Sequence, residues 1–306
     1  MRPFRFGLQV MERSADELRS QARAAEAAGF DVLHSWDHMG DGWSPLLPLL
    51  AVADVTTTMR ICPLVLNNDF HHPVHLAQDL ASLDHLSGGR LEVGIGAGHS
   101  FTEYAAIGRP FAPSAVRKAR LAESVEILRR LLDGETVTHD GDHYSLNGVR
   151  TLRSRQDHVP ILVGVNGRRA LAHAARHADI IGLTMLGRTL GDGQHHETRW
   201  EAERLDATIE HIRQQAGERW RDLELNVLVQ AVVNTDDRRT EARRQAARLP
   251  GGLSVEDVLA TPFLALGTPD DIAEHLVACR DRWGISYFSV RDLAGFTPVI
   301  ERLRGL

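Results

Sequence analysis

Short apolar runs recur along the chain, and each stops abruptly at a polar or glycine-rich cluster. Residues 4–10, 31–35, 60–66, 91–95, 161–165, 179–183, 223–233 and 285–290 read as strands. Between them the apolar positions change to a period of three to four. Ser14 and Glu17 form a capping box ahead of Leu18, Ala22 and Ala25, and Gly29 closes that helix. Helical patterns follow at 46–55 and 73–86, and over 116–132 through Leu121, Val125, Leu128 and Leu132. Others run from Gly167 to Arg176 and over 199–215, 238–248 and 297–303. Thr268-Pro269-Asp270-Asp271 starts one more, with proline in its first turn and Ile272, Leu276, Cys279 and Trp283 on its buried face.

Strand followed by helix, eight times and without an internal linker, predicts a single α/β domain over 1–306, a (β/α)8 TIM barrel with insertions. Two stretches stand outside the alternation. Residues near 135–147 alternate around Asp140-Gly141, a hairpin signal, and residues near 185–197 are polar and glycine-rich, as in a lid loop. A doubly wound sheet would need a dinucleotide fingerprint directly after a strand. Gly94-Ile95-Gly96-Ala97-Gly98 has a different spacing and lies mid-chain, and no phosphate-loop GK[ST] occurs.

Composition narrows function more than fold. A net charge of -6 and a pI near 6.2 give no general attraction to nucleic acid or an anionic membrane. No apolar run approaches the ~20 residues of a bilayer span. The N-terminus enters a strand without a signal-peptide core, so a cytoplasmic location is expected. Cys62 and Cys279 lie far apart and form no zinc pattern, which suits a reducing compartment. Lys118 is the sole lysine and falls within a helical pattern, which removes Schiff-base aldolase and pyridoxal phosphate chemistry.

Barrel enzymes place their working groups at the C-terminal strand ends. Here those ends supply Trp36, Asp37 and His38, then 67–72, then His99 and Glu103, then 166–169, then 185–188 and Arg291. His38 beside Asp37 is a candidate for proton exchange, against the plainer reading of a loop anchor. His71 and His72 serve either a ligand or the helix entry before Pro73. Gly164 to Arg169 offers backbone N–H groups at a helix start with two guanidinium groups alongside, which suits a phosphate, although an ordinary glycine turn reads the same. His173 and His177 have the i, i+4 spacing that can hold zinc, but on an outer helix they read as a surface pair. No metal is expected.

Asn67, Asp69, Phe70, His72 and Pro73, the block Leu83-Asp84-His85-Leu86-Ser87-Gly88-Gly89-Arg90 and Gly94-Ile95-Gly96-Ala97-Gly98 resemble the luciferase-like monooxygenase family. Within it they resemble the actinobacterial branch of coenzyme F420-dependent oxidoreductases. The similarity covers nearly the whole chain, including Ala24-Ala25-Glu26-Ala27-Ala28-Gly29-Phe30-Asp31 and Pro160-Ile161-Leu162-Val163-Gly164. It implies a bacterial luciferase-like barrel, commonly a homodimer, holding a flavin or deazaflavin ring over the strand ends. It also implies a non-proline cis peptide between about Leu64 and Asn67.

Asp37-His38 and Glu103-Tyr104 match an aspartate–histidine pair and a glutamate–tyrosine pair of the family. In related sugar-phosphate dehydrogenases such a histidine and glutamate act in proton transfer beside the hydride site. The tryptophan that accompanies them is matched loosely by Trp43, and their sugar-phosphate lysines have no counterpart here. The expected function is an F420-dependent oxidoreductase moving a hydride to or from a small organic substrate, with His38, Glu103 and Asp37 as catalytic residues. Asn67, Asn68 and Asp69 are expected at the ring edge. Gly98, His99, Gly164, Val165, Asn166, Gly167 and Arg168 are expected to hold phosphate and anionic tail, and Trp36, Trp43 and Met185 to line the substrate pocket. The alternatives are an FMN-dependent monooxygenase served by a separate flavin reductase, a non-catalytic flavin-binding protein of the same fold, and a metal-dependent barrel hydrolase.

Overall fold

The computed structural model describes residues 2–10, 14–189, 191 and 196–305. Its main sheet contains nine strand segments, all paired in parallel. They are β1 (Arg5–Gln9), β2 (Val32–Ser35), β3 (Arg60–Pro63, resuming at Leu66–Asn67), β4 (Val93–Gly96), β5 (Ile161–Gly164), β6 (Ile180–Leu183), β7 (Glu224–Leu228) and β8 (Ile285–Val290). Because β3 is one strand in two pieces, the nine segments occupy eight positions. The ring closes where β8 pairs with β1 and where Leu66 and Asn67 lie opposite Ile95 and Gly96. This is the expected (β/α)8 barrel.

The helices in chain order are α1 (Ala15–Ala28), α2 (Leu47–Ala53), α3 (Pro73–Leu86), α4 (Phe101–Ala106), α5 (Ser114–Leu132) and α6 (Arg168–His177). They continue as α7 (Ala202–Ala216), α8 (Arg238–Arg248), α9 (Val255–Ala260), α10 (Pro269–Trp283) and α11 (Leu293–Leu303). Their ends follow the local code. Ser14 accepts the Glu17 N–H, Gly29 ends α1 at φ 91°, and Thr268 and Asp271 form a reciprocal capping box on α10. None of the described helices is long and apolar enough to cross a membrane.

Strand alternation sorts the barrel interior into layers. At the N-terminal end, Arg5 pairs with Glu92 and Glu224, and Arg60 donates to Glu92 at 2.6 Å. Above this charged floor, Val32, Cys62, Leu162, Ile180 and Tyr287 form a buried apolar cluster. His34 sits among them with no exposed surface. Its Nδ1 lies 3.2 Å from the Cys62 carbonyl, and its Nε2 lies 3.0 Å from Ser289 Oγ, which itself accepts from Asn226. A carbonyl can only accept, so Nδ1 carries the proton, and Nε2 receives the Ser289 hydroxyl. The layer is built for a neutral imidazole.

Two sequence expectations change and one holds. The apolar pattern over 223–233 suggests one strand, but β7 ends at Leu228 and the chain leaves the barrel at Gln230, whose N–H bonds Phe263 O. Ala231–Asn234 then pairs in parallel with Leu264–Gly267 in a small separate sheet. That second strand and the short helices α4 and α9 carry no periodic signal long enough to read. The stretch near 185–197 has paired ends, Leu186–Thr189 with His196–Thr198, while residues 190 and 192–195, including His195, lie outside the described residues. The segment around Asp140-Gly141 does form an antiparallel pair, Val137–Asp140 with Ser145–Val149.

Burial holds His34 neutral until about pH 4, whereas an unfolded histidine takes up its proton near 6.5. As pH falls between these values the unfolded chain gains a proton that the folded chain refuses, so stability declines. The expected slope is about 1.4 kcal/mol per pH unit from this one group. Urea unfolding of wild type and His34→Asn from pH 7 to 4.5 should show a shallower decline in the variant by about one proton.

Candidate active site

The rim is organised by how β3 crosses its own break. The Leu64–Val65 peptide is cis, inside the stretch where the family resemblance placed one. Val65 turns its side chain toward three glycines. A Cβ on Gly96 would stand 2.9 Å from Val65 Cγ2, and one on Gly164 would stand 3.5 Å from the same methyl group. A Cβ on Gly94 would meet the Pro63 carbonyl oxygen at 2.0 Å. Here the glycines of β4 and β5 make room for β3, which explains the GxGxG spacing without a dinucleotide. Gln9 donates to Leu64 O at 2.9 Å, and Arg291 donates to Gln9 at 2.8 Å. Sequence reasoning gave Gln9 no role, although the ends of the first and last strands must be neighbours in a closed barrel.

From β3 a polar chain runs outward. Asp37 accepts the Asn67 N–H at 2.8 Å and lies 3.3 Å from His71 Nε2. Asn67 Oδ1 accepts the Asp69 N–H and the Tyr104 hydroxyl, both at 3.1 Å. Gly98, at φ 74°, lies so close that a Cβ there would sit 2.3 Å from the Tyr104 oxygen. Asp69, 1% exposed, is paired with Arg120 at 2.6 Å. Asn68 is fully buried, and its Oδ1 has no hydrogen-bond partner.

His38 and Glu103 meet across the gap between the ends of β2 and β4. Nδ1 of His38 lies 2.6 Å from Glu103 Oε1, although 65 positions separate them in the chain. The carboxylate accepts from Nδ1, fixes the ring, and leaves Nε2 as the nitrogen free for exchange. The Trp36 ring lies 5.5 Å from that of His38, and His99 meets it edge-on at 5.2 Å. Trp43 stands exposed on the loop after β2. Met185, just past β6, holds a left-handed φ of 46°, a conformation uncommon for a non-glycine residue.

Past β5, Val165 is buried and Asn166 half-buried, and Gly167, at φ 89°, opens α6 with no side-chain cap on its N–H groups. Arg168 and Arg169 are exposed there. Lys118 reaches the same place from α5, its Nζ 3.5 Å from where a Gly167 Cβ would lie. Burial, and then Arg117, push its ammonium below the usual lysine range. Sequence reasoning passed over Lys118 because its helical position gave no hint of what that helix faces.

Residues 2–287 match the luciferase-like monooxygenase family. The chain belongs to that family. Among family relatives it is 34% identical over 187 residues to an F420-dependent glucose-6-phosphate dehydrogenase of Nakamurella multipartita, covering 58% of this chain and 55% of the relative. It is 32% identical over 177 residues to a 5,10-methylenetetrahydromethanopterin reductase of Archaeoglobus fulgidus, covering 57% and 51%. The chain thus spans about half the length of the curated relatives it matches. The fold superposes on the coenzyme F420-dependent tetrahydromethanopterin reductase of Methanopyrus kandleri with a TM-score of 0.78 at 17% identity, over 99% of this chain and 100% of that one. It also superposes on the monooxygenase RslO1 of Streptomyces bottropensis, at 0.71 and 23%, over 97% and 96%.

The Asp69–Arg120 pair holds the polar chain that follows β3. Arg120→Ala would leave a buried carboxylate without its cation, at an expected cost of about 3 kcal/mol. Adding Asp69→Asn should recover part of the loss, which denaturant unfolding of both variants would measure.

Proposed function

We propose that this protein is a coenzyme F420-dependent oxidoreductase that moves a hydride to or from a small organic substrate. The observation that carries the reading is the His38–Glu103 hydrogen bond of 2.6 Å at the barrel mouth. The F420-dependent relatives support the cofactor. The residues present fit such a group. Asn68 offers a buried acceptor without a partner, and the uncapped start of α6 with Lys118 and Arg168 offers N–H groups and cations for a phosphate.

A bound deazaflavin would supply the hydride donor or acceptor. Asn67, Asn68 and Asp69 would hold its ring edge. Gly98, His99, Gly164, Val165, Asn166 and Gly167 would flank the phosphate and tail. Trp36, Trp43 and Met185 would shape the substrate side and exclude water. In the oxidising direction His38 Nε2 takes the proton that the substrate gives up, and the Glu103 carboxylate stabilises the imidazolium that results. Asp37 acts by position, holding the end of β3 through Asn67. A homodimer belongs to the same reading.

Apoprotein titrated side by side with coenzyme F420 and FMN should bind F420 selectively, with a change in the ring's absorbance. Selective FMN binding would instead favour the monooxygenase reading, with oxygen as co-substrate and a partner flavin reductase. His38→Ala should lower kcat by roughly 10²–10⁴ while F420 affinity stays near wild type, and unchanged turnover would remove His38 from the chemistry. In contrast, Lys118→Ala should weaken F420 binding by roughly tenfold or more, as expected for one lost charge-assisted hydrogen bond.

A further inference from the structure

Helices α5 and α6 lie side by side on the outside of the barrel, away from the hydride site, and three ligating groups meet in their seam. Glu126 comes from α5, and His173 and His177 from adjacent turns of α6. His173 Nε2 lies 3.0 Å from Glu126 Oε1. The two imidazoles stack with centroids 4.3 Å apart and planes at 19°. One ligating atom from each residue lies within 4.8 Å of the other two.

An imidazole binds a metal through an unprotonated ring nitrogen, and two such rings with a carboxylate beside them are a ligand set of the zinc type. The neighbouring cations are committed elsewhere. Arg176 donates to Gln215 at 3.1 Å, and Arg219 donates to the carbonyls of Ala175 and Ala178. Neither is hydrogen-bonded to the Glu126 carboxylate. A tetrahedral ion with bonds of about 2.0–2.1 Å needs its ligands roughly 3.3 Å apart. Glu126 and His177 are exposed, so small side-chain rotations close the remaining distance.

We propose that Glu126, His173 and His177 form a binding site for a divalent transition ion of the zinc type, with water completing the coordination. Binding moves the His173 ring proton from Nε2 to Nδ1, so that the Nε2 lone pair faces the ion in place of the carboxylate. The ion would clamp α5 to α6. These two helices carry Lys118 and the Gly167–Arg168 turn, so the clamp would brace the proposed phosphate cradle from outside. The site itself stands whether or not F420 is the cofactor.

Isothermal titration of chelator-treated protein with zinc chloride tests this. Wild type should show a micromolar site that weakens by about tenfold or more in His177→Ala and in Glu126→Ala. Zinc should raise the melting temperature of wild type and not of the variants. The chain has 16 histidines, so the difference between proteins is the readout rather than binding alone. Titrations that match in wild type and both variants, or no site tighter than about 100 µM, would overturn the proposal. If a variant misfolds, anomalous scattering at the zinc edge from wild-type crystals decides. A peak among the three residues supports the site, and its absence there overturns it.

Discussion

One close contact governs the rim: Val65 against the bare backbones of β4 and β5. Where the other strands end, β3 turns, and its backbone and the Val65 side chain occupy space that a Cβ on Gly94 or Gly96 would invade, while Gly164 lies at ordinary contact distance. The polar chain from Asn67 to Asp69 is then displayed at the height where Asp37, Tyr104 and Arg120 can reach it. A methyl group on Gly94 would press on a main-chain oxygen, which cannot rotate aside as a flexible side chain can. The arrangement is therefore a property of three strands together rather than of the loop that carries the polar residues.

The eight-fold alternation was legible because each buried strand is a short apolar run stopped by polar residues, and each outer helix has a clear apolar face. The exit of the chain after β7 was not. Leu228-Val229-Gln230-Ala231 contains neither glycine nor proline, and leaving the sheet there depends on a hydrogen-bonding partner at Phe263, far along the chain. The same limit applies at the rim. Strand-end position nominated His38, but its union with Glu103 came only from family resemblance, since no local pattern joins residues from two loops. For His173 and His177 the helical spacing showed a pair, while the third group, Glu126, lies on a different helix and was invisible to spacing.

The interior divides its labour by height. Charges fill the floor, a neutral hydrogen-bonded layer around His34 fills the middle, and exchangeable groups occupy the mouth. The division follows from solvent access. Glu92 is 1% exposed and must be matched by Arg5 and Arg60, whereas the His38 side chain is 35% exposed.

The ion cluster of the floor ties together β1, β3, β4 and β7, which are not all neighbours around the ring. Parting these strands would leave the buried Glu92 or Glu224 carboxylate without its counter-ion. The base of the barrel is thereby tied across strands that do not adjoin, which the backbone ladder alone cannot do.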